Sequence, residues 1–335
     1  MTMMRCTCIS MVGMMIIFGG LAGAVEPIRP VPVIHCTDLF HPHDDFDDVL
    51  DLMAIVGLHR RGDIDLRKII LDQPEVQAER PGSVLVERLN AITGEDIPSG
   101  MGPESILSAL RESDEPVVIT IVGSLTDLFE AYQADPALCR EMIRAVWVFA
   151  GDAQADPSRD HRDGTDWFES GLEYNVALNP EAFIGVMRSE LPIVWIPCYD
   201  GGLVHEHQDG IDMVHGSYHM GQYEQLFEQA SPAVREFFIE ALSSERPEGG
   251  LYEWETVKEH WKSLFGVGIF QAIARPDEDY PFEFIEEHIT VHDNATISRG
   301  EGRSVHLFKR TDQLGFYDRM TALTVELIGA IDPAD

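Results

Sequence analysis

The chain has 335 residues, 44% of them hydrophobic, with 58 acidic against 24 basic side chains and a formal net charge of −34. A field of that sign repels phosphate backbones, which excludes polymeric nucleic acid as a partner and leaves divalent cations and neutral small molecules as suitable ligands. The length allows one large α/β domain or two ordinary ones.

Residues 1–24 read as a signal peptide. MTMMR is a short basic start, CTCISMVGMMIIFGGLAGA is apolar, and Ala22-Gly23-Ala24 supplies the small-x-small pattern of a cleavage site. The apolar run lies near the lower length limit for spanning a bilayer, and Cys6 and Cys8 precede it rather than close it, which argues against a lipoprotein. The expectation is an exported mature chain, periplasmic or secreted, that forms a single domain over 25–335. No later segment is apolar for long enough to cross a membrane. The remaining Cys36, Cys139 and Cys198 lie in or beside apolar runs and read as buried thiols, with one pair able to bridge in an oxidising compartment.

Short β-branched runs at VPVIHC (31–36), KIIL (68–71), VVITIVG (117–123), AVWVFAG (145–151) and IVWIPC (193–198) read as buried strands. Helical spacing falls between them over Asp48–His59, Ser83–Thr93, Leu125–Ala134, Leu138–Arg144 and Pro180–Ser189. Strand and helix alternating in this way predict an α/β fold, a mostly parallel sheet with helices on both faces. After Asp200 the pattern loosens. Helices are expected at 232–243, 254–274 and 313–331, and strands at 289–293 and 303–309.

The most distinctive stretch is CTDLFHPHDDFDDVLDL, from Cys36 to Leu52. It crowds Asp38, Asp44, Asp45, Asp47 and Asp48 together with His41 and His43, just where a strand hands over to a helix. In a parallel sheet, ligands sit beyond the carboxyl ends of the strands. Asp38 follows the first strand there, and Asp47 and Asp48 open the first helix, where its dipole favours carboxylates. Such a density of like charge needs solvent or a metal ion to offset it.

This order resembles the inosine–uridine-preferring nucleoside hydrolase family, whose signature reads DTDPGIDDALAL or close to it. Cys36 stands at the first signature aspartate, Asp38 at the second, and Asp47-Asp48 at the closing pair. The longer loop leaves Asp44-Asp45 as an alternative pair. Further likenesses follow in the family's order: IVGSLTDLFEAYQADPAL to GPLTNIALALRADPEL, AVWVFAGDA to VVLMGGA, and LEYNVALNPEAFIGVMRSELPIVWIP to AEFNIYVDPEAAKIVFESGLPITMVG. Together they span roughly residues 31 to 200.

The resemblance implies a Rossmann-like, nucleoside hydrolase-like core and a Ca²⁺ or similar divalent ion held by Asp38, Asp48 and the main-chain carbonyl of Thr126. It also implies Asp38 as the general base toward water, with Asp47, Glu173 and Asn175 on the sugar. If the LEYN stretch is extended, Glu173 and Asn175 point to one side. The family's late His and Asp have their best counterpart in FGVGIFQAIARP, where Phe265 and Gly266 stand in their place. Asp200, His205, His207, Asp209 and Asp212 are candidate replacements, and Asp44 and Asp45 could also supply the missing charge. The first reading is therefore a metal-dependent hydrolase of N-glycosidic bonds in nucleosides or related ribosides. The alternative is a catalytically silent, nucleoside-hydrolase-like module that holds a sugar. Either reading takes a small-molecule ligand, and both leave homo-oligomerisation open.

Overall fold

The computed structural model describes residues 29–42, 47–153, 172–200, 205–206, 212–213, 218–242, 252–312 and 315–331. The expected signal peptide, Asp44, Asp45, His43, His207 and Asp209 lie outside them.

A nine-stranded sheet forms the centre, in the order β12-β11-β13-β6-β5-β4-β1-β2-β3. In chain order its first six strands are β1 (Val31–Thr37), β2 (Ile64–Leu71), β3 (Ser99–Gly100), β4 (Val117–Ile121), β5 (Ile143–Phe149) and β6 (Ile193–Ile196). Two small ribbons follow: β7 (His205–Glu206) with β8 (Asp212–Met213), and β9 (Tyr218–Gln222) with β10 (Trp261–Phe265). The strands β11 (Phe282–Val291), β12 (Ile297–Arg299) and β13 (Arg303–Arg310) extend the central sheet. Pairing is parallel from β3 through β6 to β13, and antiparallel only where β11 joins β13 and β12.

Alternation along β1 sends Val33 into the core on one face of the sheet and Ile34 with Cys36 into the core on the other. The first face carries α1 (Asp47–Arg60), the helix Ser83–Thr93 and the closing helix Gly315–Gly329. The second carries Gly102–Glu112, Thr126–Ala134 and Pro180–Arg188. Strands so covered on both sides bury both rows of side chains, as VVITI does at every position, and its one polar member, Thr120, is bonded to His35 on β1. Cys36, Cys139 and Cys198 are all buried and free.

Where α1 crosses the closing helix, Gly57 lets the backbones touch: an added Cβ would run into the Leu327 carbonyl oxygen. Gly57→Ala is therefore expected to cost about 1–3 kcal/mol through overpacking, read as a lowered midpoint in chemical denaturation.

The expected 254–274 helix is not one. Its residues form a short helix at Trp254–Val257, then β10, a 3₁₀ turn at Val267–Phe270 and a helical turn at Gln271–Ala274. Gly266, at φ +89°, breaks the run. The expected helix 138–144 also ends early, at Met142, because Ile143 and Arg144 enter β5.

Candidate active or sugar-binding site

The carboxyl ends of β1, β2 and β4 meet at one crevice. Asp38 leaves β1 between Asp72, which follows β2, and Gly123, which follows β4. Ladder bonds from Asp72 N to Thr37 O (3.0 Å) and from Val122 N to Cys36 O (3.0 Å) hold these ends together. Gly123 is required for the closeness: a Cβ there would lie 2.8 Å from Asp38 N, 2.8 Å from Asp72 Oδ2 and 3.0 Å from Asp38 Oδ1.

Asp38 and Asp72 are only 4% and 2% exposed, so two buried carboxyl groups share one corner. Ser124 N donates to Asp72 Oδ2 at 2.6 Å, and Gln73 Nε2 donates to Asp38 Oδ2 at 3.2 Å. Burial, and then the Asp38 charge, push the Asp72 carboxyl well above the usual carboxylate range. Gln73 reaches Asp38 from a left-handed backbone conformation, φ 53°, ahead of Pro74 in the next short helix.

Asp47 and Asp48 open α1 at the same end of the sheet and are buried, with Asp51 one turn further in. From β10, the Lys262 ammonium approaches Asp47, with Nζ 3.6 Å from Oδ1.

Thr126 opens the helix after β4. Its N–H donates to Ser124 Oγ (3.1 Å), so Ser124 does the capping. The Thr126 hydroxyl lies 2.5 Å from Ser124 Oγ and accepts from Asn179 Nδ2 at 3.0 Å. Asp127 turns away, its Oδ2 accepting from Gly102 N at 3.1 Å, and burial raises its pKa to about 6.

Glu173 and Asn175 come to the same end of the sheet, though not on an extended segment. Glu173 caps the helical turn Tyr174–Leu178. Its Oε1 accepts from Asn175 N (3.1 Å) and Cys198 Sγ (3.2 Å), and its Oε2 from Gly151 N (2.8 Å) and Val176 N (3.2 Å). Asn175 Nδ2 donates to Val122 O at 3.0 Å and Phe149 O at 2.9 Å, tying β4 to β5 where the strands end. Asn175 thus joins directly to the strand that carries Gly123 against Asp38.

Phe265 and Gly266 also arrive here, but as a wall. An added Cβ at Gly266 would lie 3.0 Å from Phe149 Cδ1 and Cε1. The Phe149 ring sits edge-on to Phe265 at 5.8 Å and to Phe270 at 5.2 Å. An apolar cluster therefore occupies the place where the resemblance expects an acid and a ligand. Asp200 offers no spare charge, since Arg310 holds it through two bonds, Nε to Oδ2 at 3.0 Å and Nη2 to Oδ1 at 3.1 Å.

Ca²⁺ takes about six to eight oxygen ligands. Here Asp47 already faces an ammonium, the Asp38 and Asp72 carboxyl groups crowd one buried corner, and Gly266 brings no side-chain ligand. Among the described residues, no three His, Cys, Asp or Glu side chains converge closely enough to hold an ion. The described donor set does not by itself make up a calcium site of the expected kind, and Asp44, Asp45, His207 and Asp209 lie outside the described residues.

Asp72, Gln73 and Lys262 escaped the sequence reading. Asp72 had a signal, since it follows KIIL as Asp38 follows the first strand. Lys262 had none, because its position depends on a ribbon formed at a distance.

No protein-family model matches the chain, and no curated relative matches it in sequence. Solved structures do resemble it. An inosine-uridine preferring nucleoside hydrolase from Bacillus anthracis shares 14% identity over 88% of this chain and 99% of that one, with a TM-score of 0.56. An inosine-guanosine nucleoside hydrolase shares 14% over 91% and 99%, at 0.57. The type III effector protein XopQ, complexed with adenosine diphosphate ribose, shares 12% over 91% and 95%, at 0.56. At such identities the likeness defines the fold. This is a nucleoside hydrolase-like α/β protein with a Rossmann-like core.

Proposed function

We propose that this chain is an exported, single-domain sugar-binding protein of nucleoside hydrolase-like fold, whose crevice holds a riboside or related small sugar without cleaving it. The observation that carries the reading is Gly266 packed against Phe149, so that among the described residues no acid stands where the resemblance expects one. Carboxylates at the opening of α1 and at the end of β1 are suited to accept hydrogen bonds from sugar hydroxyls. The structural likeness to a protein complexed with adenosine diphosphate ribose supports a ligand of this size.

Isothermal titration with ribose, inosine and adenosine diphosphate ribose, with chromatography for released base, tests the reading. At least one ligand should bind, Asp48→Ala should abolish binding, and no base should appear. Release of hypoxanthine from inosine would overturn it.

The buried Asp38 favours a second reading, hydrolysis of the N-glycosidic bond. In it Asp38 takes a proton from the attacking water, and Asp47, Glu173 and Asn175 hold the sugar. A divalent ion at Asp38, Asp48 and the Thr126 carbonyl belongs to this reading, although the described donor set does not by itself make up a calcium site. Because Phe265 and Gly266 supply no acid for the departing group, activity would show first on p-nitrophenyl riboside, whose leaving group needs little protonation, and would vanish in Asp38→Asn.

A further inference from the structure

We infer that Lys262 is a built-in counter-cation for the carboxylates that open α1, standing in for the divalent ion that such a cluster otherwise requires. Asp47 and Asp48 are adjacent and buried, and like charges repel strongly where water is scarce. The Lys262 Nζ lies 3.6 Å from Asp47 Oδ1, with the two side chains 23% and 13% exposed, so the pair is shielded from most of the solvent.

The lysine is also held in place. Leu264 and Phe265, which follow it on β10, are buried in the same core cluster as α1, so the strand cannot swing away without exposing them. The same segment has lost an anion, because Gly266 carries no side chain and Phe149 closes the space beside it. One stretch of chain thus brings a positive charge to the opening of α1 and, at Gly266, no carboxylate.

A calcium ion on Asp48 would sit one residue from the Asp47–Lys262 pair, and repulsion by the ammonium would oppose its entry. Lys262 is accordingly a positioning residue, and it leaves the carboxylates able to accept from the hydroxyls of a neutral polyol. The inference rests on the sugar-binding reading for its place in the crevice. It is tested with calcium alone, so sugar binding and calcium binding fail separately.

The experiment compares the wild type, Lys262→Arg, Lys262→Met and the double variant Lys262→Met/Asp47→Asn after exhaustive chelation. Calcium chloride is the probe, read by isothermal titration and by melting temperature. The wild type and Lys262→Arg should show no calcium heat and no shift. Lys262→Met should melt about 2–4 °C lower and gain a saturable rise with calcium. The double variant should recover the lost stability and lose the calcium response.

Calcium binding by the wild type would overturn the inference, as would a Lys262→Met chain that stays as stable as wild type or ignores calcium. Should Lys262→Met not fold, recovery of folding in the double variant supports the charge argument, and failure to recover overturns it.

Discussion

Glu173→Ala should lose about 3–5 kcal/mol of stability, seen as an earlier midpoint with unchanged slope in guanidinium denaturation. The Glu173 carboxylate is the shared acceptor for the N–H groups of Gly151, Asn175 and Val176 and for the Cys198 thiol. Removing it strands several buried donors at once, and each unsatisfied buried donor costs about 1–3 kcal/mol before relaxation or entering water offsets part of it. Glu173→Gln should fall between wild type and alanine, because an amide keeps one acceptor but turns a donor toward backbone N–H groups. Equal stability of all three chains would mean that the cap is not a keystone of this end of the sheet.

The second large effect is a loss of stability in acid. His35 and His219 are fully buried, and burial lowers each pKa from 6.5 to about 3. The His35 ring is fixed by its Nδ1 contact with Thr120 Oγ1 at 2.8 Å and by the edge of Phe270, while its Nε2 has no partner among the described residues. His219 Nε2 lies 3.3 Å from Thr324 Oγ1.

Both rings stay neutral in the folded chain and take protons readily once unfolded. Their contribution is therefore fully present above the unfolded pKa and drains away as pH falls from about 6.5 toward 3. The slope is up to about 1.4 kcal/mol per pH unit for each histidine. Denaturation at stepped pH should show a shallower acid limb in His35→Gln and in His219→Gln than in wild type. Parallel limbs would show that these histidines do not govern the acid transition.

The first half of the fold was legible because strands covered on both faces are almost continuously apolar. Thus VPVIHC and VVITIVG could be recognised without any partner in view. Asp38, Asp47 and Asp48 were legible for a related reason, since a strand, a carboxylate and a helix in sequence place the carboxylate at the ligand end of a parallel sheet. The bonds of Glu173 and Asn175 were not, because an interval of two suggests one side of an extended segment, whereas here it spans the first turn of a helix. The stretch around FGVGIF misled for a different reason: its apolar spacing suits a helix, and only the positive φ of Gly266 and pairing with β9 make it a strand and a turn. Lys262 went unseen along with that ribbon.

The central sheet ends in β3 on one side and β12 on the other, strands of only two and three residues. A broad sheet is a template for strangers, since each unpaired edge offers its N–H and C=O groups to any extended segment nearby. Here β12 covers only Ile289–Val291 of β11, and the rest of that strand carries Glu283, Glu286 and Glu287, charges that discourage a further strand. With a net charge of −34 also holding copies apart, the native protein should stay dispersed when concentrated, and fibrous aggregation would have to start from chains whose sheet has already opened.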